Sequence, residues 1–364
     1  MADFLAALSD VVGQRREELL GRLSGEADAL GALLDGLVAR HWHPLPPAAS
    51  VRRPAVAIDG SIRRLGLSDG AELVVVQALA LGDDGVAVPR MAVELLPPSV
   101  PRATAARFGD LLLQWAELDL AREVASAAVP GTIVLLDGAL YGRLPQLYPL
   151  PLAEEFEDLA RLPDAIIAAY AGLIDSVRAR DHRLIALSKT SREAAHAKLW
   201  LIDEGSGATL PDGVTDGSLI ARRTGGAPGV ATPVRLGKRG FTGGSEALLE
   251  RPEVGRGPAI ASCFVRLSAL DDPLRLDVPA FQCGDPTALG DVDGDLLPGG
   301  ADAIADCVAA VLADHGGPEV YHCLLYAVDR EVRLRRDMAT GVYLPLVARL
   351  LGVELRLDRS ERRF

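Results

Sequence analysis

Ala55-Val56-Ala57-Ile58-Asp59-Gly60-Ser61 and Thr132-Ile133-Val134-Leu135-Leu136-Asp137-Gly138 share one pattern: a short, wholly apolar, β-branched-rich run that ends at an Asp-Gly pair. Runs of this length bounded by turn residues read as buried strands, here ending in turns. Asp-Gly also occurs at Asp35, Asp69, Asp84, Asp212, Asp216 and Asp293, so most copies are plain turns, and Asp35 follows leucines at helical spacing. Only Asp59 and Asp137 close a buried β-type run. Open sheets gather their ligand sites at the carboxyl ends of central strands, so these two carboxylates are expected side by side there.

Working outward, residues 2–40 place Phe4, Leu5, Leu8, Val12, Leu19, Leu20 and Leu23 at helical spacing, which predicts one or two amphipathic helices. The proline-containing stretch 43–54 ends them. Residues 72–81 and 86–96, joined through Gly82-Asp83-Asp84-Gly85, predict a hairpin that extends the sheet. A helix is expected over 102–127, another over about 153–180, and a strand over 183–187 that runs into Ser188-Lys189-Thr190-Ser191. The Gly/Pro/Thr/Arg-rich stretch 205–258 shows little periodicity and reads as a long loop or insertion. Residues 261–267 and 274–278 flank Asp271-Asp272-Pro273 as a second hairpin, and helices follow at about 300–314, 319–333 and 340–351. The class is α/β with a mixed sheet. The organisation expected is a helical segment over 1–50, a core domain over 51–335 and a C-terminal helix and tail over 336–364.

A chain of 364 residues with 49% hydrophobic content buries a large core. No stretch approaches a membrane span and no basic segment precedes an apolar signal core, so the cytoplasm is the expected compartment. Cys263, Cys283, Cys307 and Cys323 are widely spaced and form no CxxC pair, which suggests neither a zinc site nor a disulfide framework and reads as reduced, mostly buried thiols. The net charge of −12 opposes a phosphate-binding surface as a whole-chain average, yet acids gathered around a cation and local pairs such as Arg222-Arg223 and Lys238-Arg239 leave nucleic acid open.

Two strand-end carboxylates suit hard divalent ions, which prefer oxygen ligands and serve phosphodiester cleavage. Further ligands are needed. The 102–127 helix offers Glu117, Asp119 and Glu123, which otherwise read as charges on a solvated face. Other sharp readings fail: Gly237-Lys238-Arg239 is no P-loop, His41-Trp42-His43 lacks neighbouring acids, and Trp115 and Trp200 read as core or interface residues.

In order, Asp59-Gly-Ser, a helix acid, Leu-Leu-Asp137-Gly-Ala-Leu, Leu-Ser-Lys189-Thr-Ser, the paired strands Phe264-Val-Arg-Leu and Leu274-Arg-Leu-Asp277-Val-Pro, and Tyr321 with Asp329 eight residues later resemble the motifs of NurA nucleases over about residues 50–335. The resemblance implies an RNase H-like core, Mn2+- or Mg2+-dependent cleavage of DNA of the 5'-3' exonuclease and single-strand endonuclease type, a homodimer, and work with a HerA-type hexameric translocase in DNA end resection. It also implies a metal set of Asp59, Glu117, Asp137 and Asp329, with Tyr321 completing the site and Lys189 near the scissile phosphate; Glu123 is the alternative helix acid. The chain departs from the family at Tyr321-His322, where Tyr-Pro is frequent, and at Val328, where a small residue is usual, so His322 stands as a possible substitute ligand. The N-terminal helices and residues 350–364, including an edge strand over 353–357 and positive charge over 359–363, are candidate dimer or translocase contacts. The competing classes are a catalytically degenerate interaction protein and a metal phosphatase acting on small substrates.

Overall fold

The computed structural model describes residues 4–24, 31–150, 156–318 and 320–360. Eleven strands are found among them: β1 (Trp42–His43), β2 (Ala55–Gly66), β3 (Glu72–Gly82), β4 (Ala87–Leu96), β5 (Ile133–Asp137), β6 (Arg183–Ser188), β7 (Gly229–Ala231), β8 (Val234–Leu236), β9 (Ile260–Arg266), β10 (Leu274–Pro279) and β11 (Gly294–Leu296). They form one mixed sheet in the order β1-β7-β9-β10-β6-β5-β2-β3-β4, with β8 also on β9 and β11 on β8. The centre is β4-β3-β2-β5-β6, in which β2, β3 and β4 are antiparallel neighbours while β2, β5 and β6 run parallel. This is the mixed α/β sheet that the sequence leads one to expect.

Parallel strands covered on both faces read as continuous apolar runs, and β5 follows that rule. Val134 and Leu136 enter the core beneath the Arg102–Ala127 and Leu162–Ala179 helices, with Ile58, Leu118 and Ile166. Ile133 and Leu135 enter the core on the other face, with Ala57 and with Ile304, Val308, Leu325 and Val328 of the Gly300–Ala313 and Cys323–Val332 helices. Fully burying one such side chain is worth roughly 1.5–3 kcal/mol, so the two sandwiched cores fix the register of the central strands.

Three expectations are corrected. First, β2 does not stop in a turn at Asp59. It continues to Gly66 because β3 pairs with it from Val56 to Gly66, whereas the parallel ladder to β5 runs only from Ala55 to Ile58. Second, the 205–258 stretch is not one long loop. It contains a helix, Asp216–Arg223, and the short strands β7 and β8, both paired with β9, and it buries Leu219, Ile220, Val230, Val234, Leu236 and Phe241. Third, residues 353–357 form no strand. A single antiparallel bridge joins Leu357 to Leu67, and Leu355 and Leu357 pack against this chain's own Leu65 and Leu73 cluster.

The expected helix starts at residues 2, 153 and 319, the side chain of Leu23 and the basic tail beyond residue 360 lie outside the described residues. Among those described, no helix is long and apolar enough to cross a membrane. All four cysteines are free; Cys263 and Cys307 are buried, Cys283 is half-buried and Cys323 is exposed.

Candidate metal centre

The period of two along a strand decides which carboxylates meet. Asp59 shares a face with Ala57, and Asp137 shares a face with Ile133 and Leu135. That face is covered by the Cys323–Val332 helix, which carries Asp329 and is preceded by Tyr321. Asp59 emerges where β2 outruns β5, and Asp137 is the last residue of β5, so both lie at the same end of the parallel ladder. One carboxylate oxygen from each of Asp59, Asp137 and Asp329 falls within 4.8 Å of the others, the only such grouping of acids, His or Cys among the described residues.

Lys189, just after β6, brings Nζ to 2.8 Å from Asp137 Oδ2 and 3.7 Å from Asp329 Oδ1. Its ammonium lies 4.9 Å from the centre of the Tyr321 ring, whose hydroxyl donates to Asp137 Oδ2 at 3.2 Å. Burial disfavours the Lys189 charge, but Asp137, Asp329 and Asp59 outweigh it and hold the pKa above its ordinary value. Tyr321 is driven up by burial and then by Asp137, so its proton stays on the oxygen.

Asp59 is the carboxylate left without a cation. Burial, then Asp137, then Glu117 push its pKa up to about 7, against one hydrogen bond from the Gly60 N–H at 2.8 Å. A buried carboxylate beside two like charges is a group whose charged form lacks compensation. Three converging hard oxygen donors, one uncompensated, match a hard divalent cation such as Mn2+ or Mg2+.

Glu117 approaches from the opposite face of the sheet. Gly60 makes room for it, since a Cβ there would come within 2.8 Å of Glu117 Oε1 and 2.5 Å of Leu113 Cδ1. Glu117 is buried, its pKa is raised by burial, and its Oε2 lies 2.7 Å from Arg143 Nη1. The other arms of Arg143 donate to the carbonyls of Asp137 (2.9 Å) and Ala139 (3.1 Å). Of the expected residues, Asp59, Asp137, Asp329, Lys189 and Tyr321 therefore come together, and Glu117 borders them behind Arg143. Glu123 is exposed and tied to Arg90, and Asp119 is tied to Arg90 and Arg122.

His322 is a cap, not a ligand: its Nδ1 accepts from Leu325 N–H at 3.5 Å at the start of the helix, and burial lowers its pKa to about 4. His41 stacks on Trp200 at 4.8 Å and His43 meets Thr232 Oγ1 at 2.7 Å, so neither serves the centre. Trp200 is buried and Trp115 packs against the core.

Two residues were given no role at the site from the sequence. Arg143 gives only the weak signal of a lone arginine six residues after a strand-end aspartate. Asp277 gives a clearer one, an acid inside the apolar strand β10. Its carboxylate accepts from Leu140 N–H (3.0 Å), Tyr141 N–H (3.2 Å), Ser262 Oγ (2.6 Å) and Arg275 Nε (2.8 Å), which fixes the loop that follows Asp137. Burial opposes its charge, and Arg275 with these donors more than compensates, holding the pKa low.

The sequence matches the family model described as NurA domain over residues 53–334. The chain belongs to the NurA family. Its fold is that of solved NurA structures. One NurA crystal structure superposes with a TM-score of 0.60 at 14% identity, covering 93% of this chain and 97% of that one. A NurA structure bound to dAMP and manganese gives 0.59 at 14%, covering 92% and 96%. A third, with manganese, gives 0.57 at 13%, covering 93% and 98%. A comparison with curated protein sequences found no match. As a member of the NurA nuclease family, the chain carries its acidic cluster as a candidate site for a divalent cation.

Proposed function

We propose that this NurA protein is a divalent-metal-dependent deoxyribonuclease in which Asp59, Asp137 and Asp329 hold Mn2+ or Mg2+, with Glu117 as the fourth ligand. The observation that carries the proposal is the convergence of three carboxylates within 4.8 Å around an uncompensated Asp59. A bound divalent ion supplies Lewis-acid stabilisation of phosphate oxygens and lowers the pKa of water. The chain's own groups do the rest. Lys189 sets a point charge beside the carboxylates, where a scissile phosphate would lie. Tyr321 orients the Asp137 carboxylate through its hydroxyl. Arg143 compensates Glu117, so ligation by Glu117 requires Arg143 to give way.

Family membership, with the manganese and dAMP complexes of other NurA proteins, supports DNA as the substrate, and the resemblance of the motifs suggests cleavage of the 5'-3' exonuclease and single-strand endonuclease type. On the same footing we assign it a role in double-strand break end resection beside a HerA-type hexameric translocase, as a cytoplasmic homodimer. The core nuclease domain is taken as 51–335, with 1–50 and 336–364 as contact segments. The test is cleavage of end-labelled single- and double-stranded DNA with Mn2+, Mg2+ or EDTA. Cleavage that needs the metal and disappears in Asp59→Asn and Asp137→Asn supports the reading; activity retained in both variants overturns it.

One observation favours a degenerate partner-binding relative instead: Arg143 and Lys189 already compensate Glu117 and Asp137 without any ion. That protein would show no saturable Mn2+ binding dependent on Asp59.

A further inference from the structure

From the end of β6 the chain runs past Lys189 along a trough of about 330 Å³ whose walls include Arg143, Ser188 and Arg192. Arg192 and Glu193 also line a second, larger cavity of about 530 Å³, which opens between the start of the Ala195–Asp203 helix and the turn at 236–240. Tyr141 joins the two walls: its hydroxyl donates to the Gly237 carbonyl at 2.5 Å and accepts from Gly240 N–H at 2.9 Å. The two cavities share Arg192 and Glu193 and so make one path, walled at one end by Arg143, the partner of Glu117.

Charge along this path departs from the rest of the chain. Glu193 is taken by Arg275 at 2.5 Å, and Asp293 faces Lys238 at 3.4 Å. Arg192, Lys198 and Arg239 are exposed to the path and have no acidic partner within 4.0 Å among the described residues. Against these three cations Asp212 is the one lining acid without such a partner, so the path is net positive in a chain of net charge −12. Between the cations the walls are apolar, with Leu199 and Leu236.

We propose that this path seats the single-stranded part of a nucleic-acid substrate, with Arg192, Lys198 and Arg239 contacting successive phosphates and the apolar walls taking sugars and bases. The proposal rests on the nuclease reading and deepens it. Alternating cations and apolar surface in a groove is the chemistry that binds single strands without sequence preference. The two cavities, about 330 and 530 Å³, are on the scale of ordinary ligand pockets and give room for a short single-stranded segment.

The test is anisotropy of a short labelled oligothymidylate and of a matched duplex, titrated in EDTA across a salt series. The proteins compared are the full chain, the variant Arg192→Gln/Lys198→Gln/Arg239→Gln, and a control of equal charge change at exposed arginines outside the path, Arg53→Gln/Arg102→Gln/Arg256→Gln. The groove variant is expected to bind the single strand at least tenfold more weakly, with a log–log salt slope shallower by about 2, since each single-strand phosphate contact contributes about 0.7. Its melting temperature and Mn2+ affinity are expected to stay those of the full chain. Unchanged single-strand binding in the folded groove variant overturns the proposal, as does an equal loss in the control or an equal loss for the duplex. Because binding is read without metal, a full chain that binds but does not cleave defeats the nuclease reading and leaves the groove standing.

Discussion

Arg143 holds Glu117 at 2.7 Å at the border of a site that contains three other carboxylates. Breaking a buried pair from one side leaves an uncompensated charge, at a cost of about 3–5 kcal/mol. Arg143→Met is therefore expected to lose about 3 kcal/mol in urea denaturation, and Glu117→Gln added to it is expected to restore part of that loss. Equal stability of the single and double variants would show that the two side chains are not coupled. His322 offers a pH test. Its folded pKa of about 4 lies below the ordinary histidine value of 6.5, so the unfolded chain binds the proton first. The stability it contributes is fully present above pH 6.5 and is lost as pH falls from 6.5 to 4, up to about 3 kcal/mol. Asp59, raised to about 7, acts with the opposite sign over much of the same window in metal-free protein, so the comparison must be between variants. Melting curves of His322→Asn, which keeps a capping side chain, should fall less steeply with acid than those of the parent; parallel curves would contradict the assignment.

At the scale of elements, β2 is the decisive strand because it reaches past β5 and carries Asp59 and Gly60 with it. Gly60→Ala is expected to cost about 1–3 kcal/mol, since its Cβ must displace Leu113 or Glu117, and to weaken any role Glu117 has at the centre. A variant as stable as the parent would mean that the helix shifts freely over the strand. The apolar halves of β2 and β5 were legible because strands buried on both faces must be apolar throughout. The second half of β2 was not. Ser61-Ile62-Arg63-Arg64 has no such run, and its polar groups are satisfied by a remote segment: Ser61 Oγ accepts from Leu334 N–H and Arg63 donates to the Leu334 carbonyl. The strands β7 and β8 escaped for a related reason. They are three residues each, too short for a period, and exist because β9 offers an edge on which to pair. Asp59 and Asp137 stood out because a charge at the end of an apolar run is conspicuous, whereas Arg143 with Glu117 is a meeting of the turn after β5 with a helix that no local pattern records.

For the whole molecule, the acidic average of −12 coexists with a path lined by Arg192, Lys198 and Arg239, so net charge alone does not exclude a nucleic-acid substrate. The first helix, Phe4–Gln14, buries none of its residues, and Phe4, Leu5, Leu8 and Val12 stand exposed. Exposed apolar faces of this kind mark interaction surfaces. Sedimentation at micromolar concentration is expected to show a dimer that becomes a monomer when residues 1–14 are removed; a monomeric full chain would contradict the homodimer proposal. The central claim, that Asp59, Asp137 and Asp329 form one divalent-cation site, is tested most directly by titrating metal-free protein with Mn2+ and following free ion by electron paramagnetic resonance, with Asp59→Asn alongside. A shared site predicts saturable binding by the parent and at least tenfold weaker binding by the variant, in line with the 10–100-fold losses that even supporting residues of metal sites produce. Equal binding by the two proteins, or none by the parent, would contradict it.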